Sequence, residues 1–108
     1  MKVKDIYPSR FLKADDVEPP LILTIRSHTF EDIGVEKERK FILYFSETDK
    51  VLVVNKTNLN SIEMILGTDE TDQWIGKTIE LFKDHVQMGA EIVAAIRVRR
   101  ATEPTLAV

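Results

Sequence analysis

Three observations predict a mainly β fold, a small five-stranded barrel with one short helix between its third and fourth strands. Apolar and polar residues alternate over residues 21–29, 41–46, 77–86 and 90–98, the period of half-buried strands. A shorter apolar run at 51–54 breaks at the polar junction Asn55–Asn58 into residues spaced as on a helix, closed by Gly67. The resulting order is strand, strand, strand, helix, strand, strand, with an arm of about 20 residues in front.

The arm, residues 1–20, ends in Pro19-Pro20, which hold the preceding residues extended. Its expected anchors are Ile6, Tyr7, Phe11, Leu12 and Val17, with a turn at Asp15-Asp16. In the first strand Leu21, Leu23 and Ile25 share one face, and Ile22, Thr24 and Arg26 the other. Residues 30–40 are charged and read as a connection, with a ragged continuation of the strand through Phe30 and Ile33. Phe41, Leu43 and Phe45 then face one way, and Ile42 and Tyr44 the other. The polar turn 47–50 makes a hairpin with the strand at 51–54.

Leu59, Ile62, Ile65 and Leu66 recur at helical spacing. Asn58 is the expected N-cap, with Asn60 and Glu63 as an alternative box, and Gly67 suits a left-handed end. Residues 72–76 read as a single turn with Trp74 as a plug. In the fourth strand Ile79 and Leu81 face the core, with Thr78, Glu80 and Phe82 opposite. After a turn at Gly89, Ile92, Ala94, Ile96 and Val98 share one face of the fifth strand, and Val93, Ala95, Arg97 and Arg99 the other.

This element order is that of a Greek-key barrel of the oligonucleotide-binding (OB) class, in which a helix between strands three and four plugs one end. An open β-sandwich, or an α+β sheet crossed by one helix, has the same order, and strand pairing is not visible in the sequence. The expected division is an arm at 1–20, an OB-like barrel at 21–100 and a flexible tail at 101–108.

With 108 residues and 44% hydrophobic residues, the chain is the size of one domain with a real core. It has no cysteine, which excludes disulfides and thiolate metal sites. No apolar run is long enough to span a membrane, and the first residues do not read as a signal peptide. The expected location is the cytoplasm. Net charge is −3, with ten basic and ten acidic residues in 1–56, and five basic and eight acidic in 57–108.

No catalytic constellation is visible, and the expectation is a non-enzymatic protein without cofactor or metal. His28 lies near Ser27, Glu31 and Asp32, but these are ordinary residues for a strand end and loop. His85 and the acidic group Asp69, Glu70 and Asp72 lack the converging partners of a metal site. Gly76-Lys77-Thr78 is not a phosphate loop, because Thr71 stands where the first glycine is needed and a strand follows.

The functional reading that follows from an OB-like barrel is single-stranded nucleic-acid binding. Tyr44 and Phe82 would stack bases, and Arg26, Lys56, Lys77, Arg97 and Arg99, with Arg100 beside them, would meet phosphates. The alternative is a protein–protein or structural assembly module. In that reading Ile42, Phe82 and Val93, apolar on outward faces, form a dimer surface.

Four blocks carry a resemblance: SRFLKADDV at 9–17, KVLVVNKTN at 50–58, DQWIGKTIEL at 72–81 and AAIRVRR at 94–100. Together they resemble small phage- and prophage-encoded OB-like proteins of unassigned function. The resemblance implies an accessory role in phage replication or recombination in the host cytoplasm. Its implied partners are single-stranded DNA, a replication protein or a second copy, with no membrane. It brings no catalytic residue.

Overall fold

The computed structural model describes residues 10–33, 35 and 37–101. The arm anchors Ile6 and Tyr7, the glycine at position 34 and most of the tail therefore lie outside the described residues. Five strands form one antiparallel sheet: β1 (Leu21–Ile33), β2 (Glu38–Phe45), β3 (Leu52–Val54), β4 (Thr78–Met88) and β5 (Glu91–Arg100). The helix α1 (Lys56–Leu66) lies between β3 and β4, as expected. Short 3-10 turns occupy Ala14–Val17 and Thr71–Trp74.

The barrel expectation is overturned. The strand order is β3-β2-β1-β4-β5, with β3 and β5 as the two ends of an open sheet. Two local features stand at the edges that closure would need. Beside β3, the Leu12 N–H donates to the Val51 carbonyl and the Val51 N–H to the Arg10 carbonyl, both at 2.8 Å, so the arm takes that edge. Beside β5, the Asn58 side-chain amide donates to the Ile96 carbonyl at 2.9 Å, so the helix takes part of the other. β3 is only three residues long because Asn55 starts α1 directly after it.

The inward faces match the alternation. Leu23, Ile25, Phe41, Leu43, Phe45, Ile79, Leu81 and Val98 join Ile62 of α1 and Trp74 in one core. Trp74 is 2% exposed and donates its indole N–H to the Thr68 carbonyl at 2.9 Å. It meets Phe41 edge-on at 6.4 Å between ring centroids. Burying a tryptophan is tolerable when its one donor is satisfied, and the plug role follows from that.

The helix begins earlier than expected. Asn55, not Asn58, is the N-cap, and its side chain accepts the Asn58 backbone N–H at 2.8 Å. Gly67 closes the helix at φ 74°, a conformation that costs a glycine little.

Of the residues expected as a connection, 30–33 continue β1, as the ragged continuation through Phe30 and Ile33 anticipated, and 38–40 begin β2 opposite them. The charges are complementary across the strands: Glu31 opposes Lys40, and Asp32 opposes Arg39. A bulge between Ile25 and Ser27 marks where β1 changes neighbours. There Glu47 replaces a ladder partner and accepts the Thr24 backbone N–H at 2.7 Å and the Thr24 hydroxyl at 2.6 Å. β1 pairs with β4 only from Leu21 to Thr24 and with β2 from Ile25 onward. The sheet is therefore drawn out diagonally, and the molecule measures 50 × 33 × 28 Å.

Candidate interaction surface

The seven residues expected to contact nucleic acid do not form one site. Arg26 and Tyr44 come together near the bulge, with the guanidinium 5.8 Å from the ring centroid. Tyr44 is half-buried, and its hydroxyl donates to Glu31. The other Glu31 oxygen holds Arg10 of the arm at 2.5 Å. Hydrogen bonds from Tyr44 and then Arg10 keep the Glu31 carboxyl below its usual range, and the Tyr44 hydroxyl is raised by the same contact. This arrangement clasps the arm to the sheet.

Phe82, Arg97 and Arg99 share the outer face of β4 and β5. The Arg99 guanidinium sits 4.5 Å over the Phe82 ring and is paired with Glu80. Glu80 was expected on an open face but is 4% exposed. Tyr44 stands opposite Ser27 on β1, and Phe82 lies one residue beyond the last β1–β4 pair, Leu21 with Leu81. At roughly 3.3 Å per residue the two aromatic groups lie about 20 Å apart along the sheet. Lys56 is exposed at the first turn of α1, and Lys77 is exposed just before β4. Tyr44 and Phe82 are both half-buried; Arg26 and Arg99 lie over their rings, Arg99 is also paired with Glu80, and Arg97, opposite Phe82, donates to the Ile96 carbonyl at 3.3 Å. The single-stranded nucleic-acid reading is overturned with the barrel that supported it, since the described residues form no groove in which aromatics and free cations converge.

His28 lies apart from the pair suggested by its sequence neighbours. Its Nε2 is 3.1 Å from Asp72, on the opposite face of β1 from Glu31, and its ring rests on Phe41 at 5.3 Å. Among the described residues, no three His, Asp or Glu side chains are placed to hold a metal ion.

The described surface that stands out is the far half of the β4–β5 hairpin. The strands pair with each other from Ile79–Arg100 to Met88–Glu91, whereas β1 accompanies β4 only as far as Leu81. Residues 82–97 are thus a two-stranded ribbon. The turn at Ala14–Val17 supports its base, where Lys83 binds Asp15 at 2.8 Å. Those contacts raise the Lys83 ammonium pKa, chiefly through the Asp15 hydrogen bond. Beyond that base, Met88 is 66% exposed and Ile92 73% exposed. Val86 and Val93 are directly opposite each other on the outer face, and Phe82 lies on that face too. Ile42, expected to join them, is fully buried on β2.

The ribbon also carries an unused strand edge. In an antiparallel strand the N–H and C=O of one residue point to the same side, and the side alternates along the chain. The Ile96 carbonyl points away from β4, to Asn58. The unbroken β4–β5 register therefore turns Ile92 and Ala94 to that side as well. Among the described residues, no strand pairs with this edge. The sequence already placed Ile92 and Ala94 on one face; the missing signal was which neighbour β5 lacks. Compared with known protein families, curated proteins and solved structures, the chain matches none.

Proposed function

We propose that this protein is a non-enzymatic interaction module that engages a protein partner through the far half of the β4–β5 ribbon. One observation carries the reading: the ribbon extends beyond the sheet with exposed Met88 and Ile92 and an unpaired edge at Ile92 and Ala94. A two-stranded ribbon alone is marginal in water. An unprotected apolar edge is also a template for a further strand. A protein partner supplies both what the ribbon lacks as packing and what its edge lacks as hydrogen bonds. Among the described residues, no helix is long and apolar enough to cross a membrane. Action in the cytoplasm, as the phage resemblance implies, is part of the proposal.

A photo-crosslinking residue at position 92, with one at the exposed Glu63 of α1 as control, tests the reading in cells. The expected result is a discrete protein adduct from position 92 that is absent from position 63. Introducing Ala94→Pro, which removes an edge N–H while leaving the β4–β5 ladder in place, should abolish it. No ribbon-specific adduct, or one indifferent to Ala94→Pro, removes the reading.

A further inference from the structure

We propose that the partner on the β5 edge is a second copy of this chain, joined by antiparallel pairing of the two β5 strands about a twofold axis at Val93. The proposal rests on the ribbon reading above and names its occupant. The usable edge is bounded on both sides. At one end the Asn58 amide occupies the Ile96 carbonyl, and at the other the chain turns at Gly89, φ 63°. Ile92 and Ala94 are the strand residues between these limits that face outward. A twofold that uses both must place Ile92 opposite the partner's Ala94, and Ala94 opposite the partner's Ile92. Each such pair exchanges two backbone bonds, giving about four between the chains.

The side chains suit that register on both faces. On the inner face the large, exposed Ile92 meets the small Ala94 of the partner subunit. Ala94, with Leu12, Leu52 and Val53, lines a cavity of 220 Å³ at the gap between β3 and β5. On the outer face Val93 meets its own copy, and Val86 flanks each, so four valines form a row across the junction. Glu91 falls diagonal to the partner's Arg97, about 7–8 Å away and within reach of its long side chain. No like charges stand directly opposite each other. The stretch Ile92–Ile96 carries no charge and no proline, the devices by which edge strands usually avoid pairing. A twofold uses this edge up and closes the assembly at two copies.

The chain has no cysteine, so one introduced thiol reports the register. Val93→Cys should form an intermolecular disulfide rapidly on mild oxidation. Its partner α-carbon would lie about 4.5 Å away in a non-hydrogen-bonded pair, inside the range a disulfide spans. Met88→Cys, exposed on the same ribbon but on β4, should form it at least about tenfold more slowly. Sedimentation of the unmodified chain across a concentration series should show a monomer–dimer equilibrium, and Ala94→Pro should return it to monomer. Equal rates for the two cysteines overturn the register. A strictly monomeric chain up to its solubility limit overturns the second copy as occupant. If the position-92 crosslinker still captures a different protein specifically, the interaction module stands and only its homotypic form fails.

Discussion

At the scale of single residues, the two asparagines of the junction do different work. Asn55 caps α1 through its side-chain oxygen. Asn58, 2% exposed, uses its amide nitrogen on Ile96, which leaves its side-chain oxygen buried without a partner. The Ile96 carbonyl can only accept, so the amide orientation is forced. Asn58→Asp would set a carboxylate against that carbonyl in a buried place. It should destabilise the fold by at least about 3 kcal/mol, read from urea unfolding at neutral pH. A wild-type midpoint for that variant would show that the Asn58–Ile96 contact is not formed. Trp74 is the second residue with a decisive role. Trp74→Ala removes a core ring held at Phe41 and Thr68 and should cost about 3–5 kcal/mol in the same measurement. A cost below about 1 kcal/mol would mean that the ring is not the plug of this core.

Among the elements, the β4–β5 ribbon and the β1–β2 hairpin differ in how their surfaces are completed. The β1–β2 extension sets complementary charges opposite each other, Glu31 across from Lys40 and Asp32 across from Arg39, and Arg39 covers Phe30 at 5.4 Å, which leaves Val35 at its tip as its fully exposed apolar residue. The β4–β5 ribbon leaves valine, isoleucine and methionine outward instead. Strand parity makes a sharp prediction for neighbouring prolines. Ala95 directs its N–H toward β4, so Ala95→Pro breaks the ladder and should lower stability by about 1–3 kcal/mol. Ala94→Pro faces outward and should leave monomer stability within about 0.5 kcal/mol. Equal losses in thermal unfolding of dilute protein would contradict the assigned edge. The faces of these strands were legible in the sequence because side-chain alternation has a period of two. The length of the β1–β2 hairpin was not, because its charged residues look like a loop until each is seen opposite its complement.

Across the whole molecule, the arm is held by Leu12 and Val17 in the core, by one narrow backbone bridge and by a rim of ion pairs. Arg10 binds Glu31 at 2.5 Å, Lys50 binds Asp16 at 3.3 Å and Lys83 binds Asp15 at 2.8 Å. Glu31 is held below its usual range by Tyr44 and Arg10. The Lys13 backbone N–H, and then Lys50, do the same for Asp16. Depressed carboxylates stabilise the fold above their unfolded values near pH 4, and that contribution is lost as pH falls through the lower folded values. Hydrogen exchange at the Leu12 amide should therefore accelerate relative to the core below about pH 4, and Glu31→Gln should flatten the change. A Leu12 protection factor that follows the core amides down to pH 3 would count against the clasp. The sequence by itself determined the five strands, the helix between the third and fourth, the alternation of faces along the four longer strands and the plug at Trp74. These depend on local periodicity, capping and turn chemistry, which neighbouring residues specify. Only the tertiary structure decided that the sheet stays open. That outcome depends on which groups reach the edges of β3 and β5, and there Leu12 and Asn58 arrive from elements distant in sequence.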